Sequence, residues 1–131
     1  MADNVDIIRG GYDAFARRDA ADLFSRFSPD IEWVAPVGSP RGLGGVYKGH
    51  EEVGGFFAKV AAAYGDTMAV VVDECVAADD RVIVFGRFEA HSTSGDAVSL
   101  GFVHSWTLAD GVAVRMVENF DTAHWAELLA A

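Results

Sequence analysis

The sequence predicts a single domain of the α+β class, with helices in its first half and β-strands in its second. Between residues 5 and 18, apolar side chains recur at steps of three and four, which is the period of an amphipathic helix. After residue 67, runs of β-branched and aromatic side chains alternate with turn sequences such as Asp79-Asp80 and Asp110-Gly111. With 131 residues, 51% of them hydrophobic, the chain has enough apolar residues for one core and is too short for a second domain of ordinary size.

The first half of the chain is predicted to be mainly helical. The expected elements are a helix over 5–18, a short helix that ends before Pro29, a strand over 31–37, a loop over 38–49 and a helix over 50–64. The short helix ends there because the residue before a proline avoids helical geometry. The first two helices are therefore expected to form a hairpin.

The second half is predicted to be an antiparallel meander that is followed by a helix. The expected elements are strands over 68–77, 81–93, 98–108 and 112–120 and a helix over 123–131, with Asp121 or Thr122 as its cap. We expect a curved, mostly antiparallel sheet wrapped around the three N-terminal helices. Such a cone encloses an internal cavity.

The charge of the chain limits its partners. It has 20 acidic and 10 basic residues, and the formal net charge of -10 repels phosphate backbones and anionic membranes, so neither nucleic acid nor membrane is expected. No apolar run approaches the ~20 residues of a membrane-spanning helix, and the polar start at residues 1–4 does not resemble a secretory signal. These features favour a cytoplasmic protein, and its one cysteine, Cys75, allows no internal disulfide.

Four short motifs resemble those of a known family. They are Asp30-Ile31-Glu32-Trp33, Pro36-Val37-Gly38-Ser39-Pro40, Tyr47-Lys48-Gly49 and, after the turn at Asp110-Gly111, Glu118-Asn119-Phe120-Asp121. Together with the order of the elements, they make residues 1–131 similar to one domain of the SnoaL-like branch of the nuclear transport factor 2-like superfamily. That superfamily includes ketosteroid isomerases, limonene-epoxide hydrolases, polyketide cyclases and binding domains. The resemblance implies a cone with a cavity, commonly paired as a homodimer through the sheet.

The ketosteroid isomerase pattern is incomplete in this chain. The resemblance places Tyr12 close to that family's first-helix tyrosine and His104 at its second oxyanion-binding position. Ala35, however, stands where the family has the aspartate that shuttles the proton. Because a methyl group cannot take a proton, isomerisation by that mechanism is not expected.

The epoxide hydrolase pattern is partly present. Arg87, Glu89 and Glu118 resemble the arginine and the two acids of that family. Positions 87 and 89 share one face of a strand, as they must if the arginine is to hold both carboxylates. Glu32 and Val34 replace the tyrosine and asparagine that position the water, so the water site is unfinished.

The polyketide cyclase pattern is a histidine on the penultimate strand and an acid on the last one, and His104 and Glu118 resemble it. A two-residue turn at Asp110-Gly111 would place them on opposite faces, whereas a type I turn with a bulge at Gly111 shifts the register by one and brings them together. In that register Phe102, His104 and Trp106 lie opposite Phe120, Glu118 and Met116.

Two functions from different classes remain open. The first is a cofactor-free enzyme with isomerase, cyclase or epoxide hydrolase chemistry on a small apolar oxygenated substrate. His104 and Glu118 would be its acid–base pair, with Arg87, Glu89 or Tyr12 polarising oxygen. The second is a binding or dimerisation module that does no chemistry. The residues expected to line the pocket are Tyr12, Trp33, Tyr47, Phe56, Phe102, Trp106, Met116 and Phe120.

Each candidate also has a purely structural interpretation. His104 fits a buried neutral histidine with a hydrogen-bond partner, and Arg87 with Glu89 fits a salt bridge that stiffens the sheet. The histidines are isolated and no phosphate-binding loop is present, so neither a metal nor another cofactor is expected. Outer strand faces that carry residues such as Val82, Val84 and Val98 favour a homodimer.

Overall fold

The computed structural model describes residues 3–64, 68–91 and 94–130, which form four helices and six strands. The elements are α1 (Asn4–Ala16), α2 (Ala20–Ser25), β1 (Phe27–Ala35), β2 (Gly45–Lys48), α3 (Gly49–Tyr64), β3 (Ala69–Ala78), β4 (Arg81–His91), β5 (Ala97–Ala109), β6 (Val112–Phe120) and α4 (Thr122–Ala130). A short 3-10 turn, Pro40–Gly42, lies between β1 and β2. The predicted α+β class and order of elements are confirmed.

The six strands form one curved sheet in the order β2-β1-β6-β5-β4-β3. All neighbouring pairs are antiparallel except β1 and β6, which are parallel. Side chains on the inner face pack against α1, α2 and α3, and the core lies between these helices and the sheet. The architecture is the expected cone.

Helices α1, α2 and α4 begin at aspartate caps. The carboxylates of Asp3 and Asp19 accept from backbone N–H groups in α1 and α2, and Asp121, a predicted cap, accepts from the N–H of His124 in α4. In the part of the chain that the structure describes, no helix is long and apolar enough to cross a membrane.

The first strand differs from its prediction at both ends. β1 begins at Phe27 rather than at residue 31, because Phe27 is buried against Phe24 and Trp33 instead of ending a helix. Pro29 is tolerated because regular pairing with β6 is interrupted between Phe27 and Glu32. The glycine-rich segment predicted as a loop contains β2, which pairs along the open edge of β1.

Of the two registers that the sequence left open between β5 and β6, the structure has the one with His104 opposite Glu118 and Trp106 opposite Met116. Its cause differs from the prediction. Asp110 and Gly111 both have positive φ, 52° and 83°, and form a simple two-residue turn. The extra residue is Val114, which has no partner because Thr107 pairs with Arg115 and Leu108 pairs with Ala113.

The apolar residues of β4 and β5 that were assigned to the outer face lie on the inner one. Val82, Val84 and Val98 are all buried in the core, so that argument for self-association was wrong. Side chains alternate along a strand, and on β4 the even-numbered positions face the helices. The outer face carries other apolar residues, of which Phe85 and Val76 are exposed.

Gly86 is required where β4 lies close against β3, beside the irregular pairing between Val72 and Glu74. A Cβ atom there would lie 2.3 Å from the carbonyl oxygen of Val71 and 2.7 Å from Cζ of Phe102. We expect Gly86→Ala to lower the free energy of unfolding by about 1–3 kcal/mol, because neither neighbour can move without disturbing the sheet.

Gly55 is the matched control, since a Cβ atom there would meet nothing within 4 Å on helix α3. We expect Gly55→Ala to raise stability by about 1 kcal/mol through helix propensity. Urea unfolding of both variants measures the difference, and equal effects would contradict the packing at Gly86.

Candidate active site

A cavity of about 120 Å³ lies between the helices and the inner face of the sheet. Its wall is formed mostly by aliphatic and aromatic side chains from α1, α3 and the long strands. Within the described residues, the titratable side chains on this wall are Tyr12, Arg26, His104 and Glu118. An apolar cavity with a few convergent polar groups is the usual form of a small-molecule site.

Five side chains form a continuous polar row along the wall. The indole N–H of Trp106 donates to the Tyr12 hydroxyl over 3.0 Å, and that hydroxyl lies 2.6 Å from Nδ1 of His104. Nε2 of His104 is 3.6 Å from Oε2 of Glu118. The other carboxylate oxygen, Oε1, accepts from the indole N–H of Trp33 over 2.8 Å. We call these residues the polar row.

The surroundings of His104 determine which of its nitrogens carries the proton. With the proton on Nδ1, the Tyr12 oxygen would accept from both His104 and Trp106, and its own proton would point into the apolar cavity without a partner. The lone pair of Nε2 would also face the Glu118 carboxylate. With the proton on Nε2, Tyr12 donates to Nδ1 and the carboxylate faces an N–H group. The second tautomer is therefore favoured.

The position of the imidazole is restricted on several sides. The side chains of His104 and Glu118 are only 10% and 11% exposed. The Phe102 ring stacks on the imidazole with centroids 3.8 Å apart, and the Tyr12 ring plane lies within 9° of the imidazole plane. The imidazole is therefore held between the Phe102 ring and the Glu118 carboxylate, with its Nδ1 directed to the Tyr12 hydroxyl.

Tyr12 is a neutral phenol in this environment. Burial raises its pKa well above the ordinary value, and the charge of Glu118 acts in the same direction, whereas the hydrogen bond from Trp106 opposes them. A free tyrosinate is thus disfavoured. Tyr12 can act chemically only by receiving one proton while it gives up another.

Most of the residues predicted for the pocket do line it. Tyr12, His104 and Glu118 meet on one wall, and the predicted aromatic residues that also line the cavity are Trp33, Phe56, Phe102, Trp106 and Phe120. Met116 does not, because it is fully buried behind the wall. Tyr47 does not either: it lies on edge strand β2, packs against Phe56 and donates to the carbonyl of Leu43.

Arg87 and Glu89 lie outside the cavity, which contradicts their predicted contact with Glu118. They do share a strand face, but it is the outer one, because the even positions of β4 face inward. The Arg87 guanidinium pairs with Glu89 at 2.8 Å and with Asp73 at 2.7 Å on the surface of the sheet. The epoxide hydrolase arrangement is therefore absent, and the salt-bridge interpretation fits Arg87.

The cavity also contains residues that were not predicted. Phe15 and Phe57 follow the helical periodicity of α1 and α3, so that pattern was a usable signal for them. Trp125 lies on α4 with its side chain buried, donates to the Tyr64 hydroxyl and packs against Phe120. Its position depends on how α4 folds back, which the sequence pattern does not specify.

The raised pKa of Tyr12 makes stability depend on pH in the alkaline range. The unfolded chain loses the phenolic proton above about pH 10, whereas the folded chain keeps it, so the free energy of unfolding should fall as pH rises beyond 10. Urea unfolding between pH 9 and about 11 measures this slope. Tyr12→Phe should make the slope shallower, and an unchanged slope would contradict burial of a neutral phenol.

The chain is similar to a known domain family and to an uncharacterised protein. A family model described as a SnoaL-like domain matches residues 8–130. An uncharacterised protein of Mycobacterium tuberculosis is 32% identical over 118 residues, which cover 89% of this chain and 88% of that protein.

Two solved structures are similar over almost their whole length. An NTF2-like protein of unknown function from Burkholderia pseudomallei K96243 is 36% identical, with 100% of both chains covered and a TM-score of 0.92. TerC, which was co-crystallised with polyporic acid, is 40% identical, with 98% of both chains covered and a TM-score of 0.91. The fold, the cavity and the family match together show that the chain belongs to the SnoaL-like domain family of NTF2-like proteins.

Proposed function

We propose that the protein is a cofactor-independent enzyme that moves a proton on a small aromatic or enolic oxygenated compound. The observation that carries this proposal is the polar row, which places Tyr12, His104 and Glu118 together on the wall of an otherwise apolar cavity. General acid–base catalysis needs such a group within hydrogen-bond reach of the ligand and sheltered from water.

The size and lining of the cavity support an aromatic ligand. Engineered cavities of about 150 Å³ bind benzene, and the cavity here, at about 120 Å³, is matched to one ring rather than several. The 40% identical TerC was co-crystallised with polyporic acid, an oxygenated aromatic compound, which supports a ligand of this class.

In this mechanism the Tyr12 hydroxyl contacts the ligand oxygen and His104 stores the proton. Glu118 and the Phe102 ring stabilise the imidazolium that forms. The apolar wall excludes water, so the electrostatic interactions within the row are stronger than they would be in solvent. The same residues return the proton at the end of the reaction.

A non-catalytic binding module of the same fold is the second candidate. The buried Ala35 favours it, because related enzymes carry a proton-shuttling carboxylate at this place and the chain has none there. A binding module would use the row only to orient its ligand.

Hydrogen–deuterium exchange separates the two candidates. Phloroglucinol and dihydroxybenzoquinone exchange their ring hydrogens by losing a proton from oxygen and gaining one at carbon, and proton NMR in heavy water follows this. We expect the protein to accelerate the exchange, and His104→Ala to reduce the acceleration by about 100-fold, a typical acid–base contribution.

Arg87→Ala is the control, since Arg87 lies on the outer face of the sheet, and its exchange rate should equal that of the unmodified protein. If the NMR signals show that the ring binds but exchange is no faster than in buffer, the enzyme hypothesis is wrong and the binding module stands.

We also propose that two copies of the chain associate through the outer face of the sheet. Phe85 and Val76, on the neighbouring strands β4 and β3, are 41% and 42% exposed there. Exposed apolar side chains on one sheet face favour contact with another protein surface. Because β3 and β4 are neighbours, their outer faces form one continuous surface.

Sedimentation of the protein and of Phe85→Asp tests this association. We expect a dimer of the 14.0 kDa chain at micromolar concentration, and a monomer for Phe85→Asp, because a buried unpaired carboxylate disfavours the contact. Val37→Asp is the control: Val37 is 93% exposed but lies in the loop after β1. A monomeric unmodified protein would refute the proposal.

A further inference from the structure

The Tyr12 oxygen has a fixed hydrogen-bonding capacity. A phenol offers one proton and two lone pairs. In the favoured tautomer of His104 the proton is directed to Nδ1 at 2.6 Å, and one lone pair accepts from the indole N–H of Trp106 at 3.0 Å. What remains for a ligand is the second lone pair. In the resting protein, Tyr12 can therefore accept a hydrogen bond from a ligand but cannot donate one.

The hydrogen-bond donors of the polar row all point toward Glu118. Trp106 donates to Tyr12. In the favoured tautomer of His104, Tyr12 donates to Nδ1 and the Nε2–H group faces Glu118. From the other end, Trp33 donates to the second oxygen of the same carboxylate. Because every proton points toward Glu118, the charge of this one side chain orients the row.

We infer that the cavity selects ligands that present a hydroxyl group, such as phenols and enols, over ligands that present only a carbonyl, and that Glu118 sets this preference. The inference rests on the proposed function only in assuming that a single-ring ligand occupies the cavity. Beyond the proposed function, it specifies that the ligand donates the hydrogen bond to Tyr12, and it assigns this preference to Glu118.

The proton balance of the first step follows from this direction. The ligand hydroxyl gives its proton to the Tyr12 oxygen while the Tyr12 proton passes to Nδ1 of His104. The ligand oxygen keeps the electron pair of the broken O–H bond and becomes a phenolate or enolate, and His104 becomes an imidazolium beside Glu118. No oxidant or other reactant is needed. Tyr12 now carries the proton that came from the ligand and accepts a hydrogen bond from the Nδ1–H group of His104, so it can donate to the ligand on the return.

Glu118→Gln should reverse the hydrogen bond between Tyr12 and His104 with almost no change in the shape of the side chain at position 118. Trp33 donates to Oε1, so the amide oxygen of the new side chain is held there and its NH₂ group faces His104. An N–H donor facing Nε2 favours a lone pair on that nitrogen and moves the proton to Nδ1. His104 would then donate to Tyr12, and the Tyr12 proton would be directed into the cavity.

The test compares three ligands of one ring each: phenol, which donates, benzaldehyde, which only accepts, and toluene, which does neither. Affinities are measured by NMR titration at about pH 8, where imidazole is ordinarily neutral. Relative to toluene, we expect the unmodified protein to prefer phenol by about threefold to tenfold, the contribution of one hydrogen bond, and to gain nothing from benzaldehyde. Glu118→Gln should prefer benzaldehyde over phenol.

Glu89→Gln is the matched control, because it makes the same chemical change on the outer face of the sheet. It should keep the preference of the unmodified protein. A preference of the unmodified protein for benzaldehyde, or the same preference in Glu118→Gln and the unmodified protein, would overturn the inference.

Nitrogen NMR of the ligand-free protein gives an independent readout that needs neither a folded variant nor a bound ligand. We expect the proton of neutral His104 on Nε2, and a proton on Nδ1 instead would overturn the inference. Failure of the proposed enzyme function is distinguishable, since it would leave the ligand preference and the tautomer as described while ring exchange stayed at the rate in buffer.

Discussion

The register between β5 and β6 is the constraint on which the site depends. It places His104 directly opposite Glu118, and a slip of one residue would turn the carboxylate to the outer face of the sheet. The unpaired Val114 establishes this register, and α1 then lies across the two strands so that Tyr12 reaches His104. A single extra residue in β6 thus determines whether the three groups can meet at all.

The sequence predicted the fold, because hydrophobic periodicity and turn residues are local signals, and it left two registers open, one of which puts His104 and Glu118 on one face. It could not locate the bulge: a valine in a strand carries no mark of being unpaired, whereas Gly111 looked like a bulge and is a plain turn. Arg87 was misplaced for a related reason. Its spacing to Glu89 shows that both share a face, but which face points inward depends on the whole meander.

The contact between Tyr12 and His104 joins residues 92 positions apart and depends on how α1 is rotated on the sheet. Sequence spacing holds no such information. The polar row leaves no buried polar atom unsatisfied, since no buried side-chain nitrogen or oxygen in the described part of the chain lacks a hydrogen-bond partner. Polar groups in an apolar wall are stable only when they satisfy one another, so the members of the row depend on each other for their positions.

Trp125 gives the cavity a second, separate determinant. It lies on α4, forms part of the cavity wall and contacts Phe120 and Tyr64, none of which belongs to the polar row. The room available to a ligand and the chemistry offered to it are therefore encoded in different parts of the chain. Substitutions in the C-terminal helix can therefore change the room for a ligand while His104 and Glu118, on β5 and β6, keep their place opposite each other.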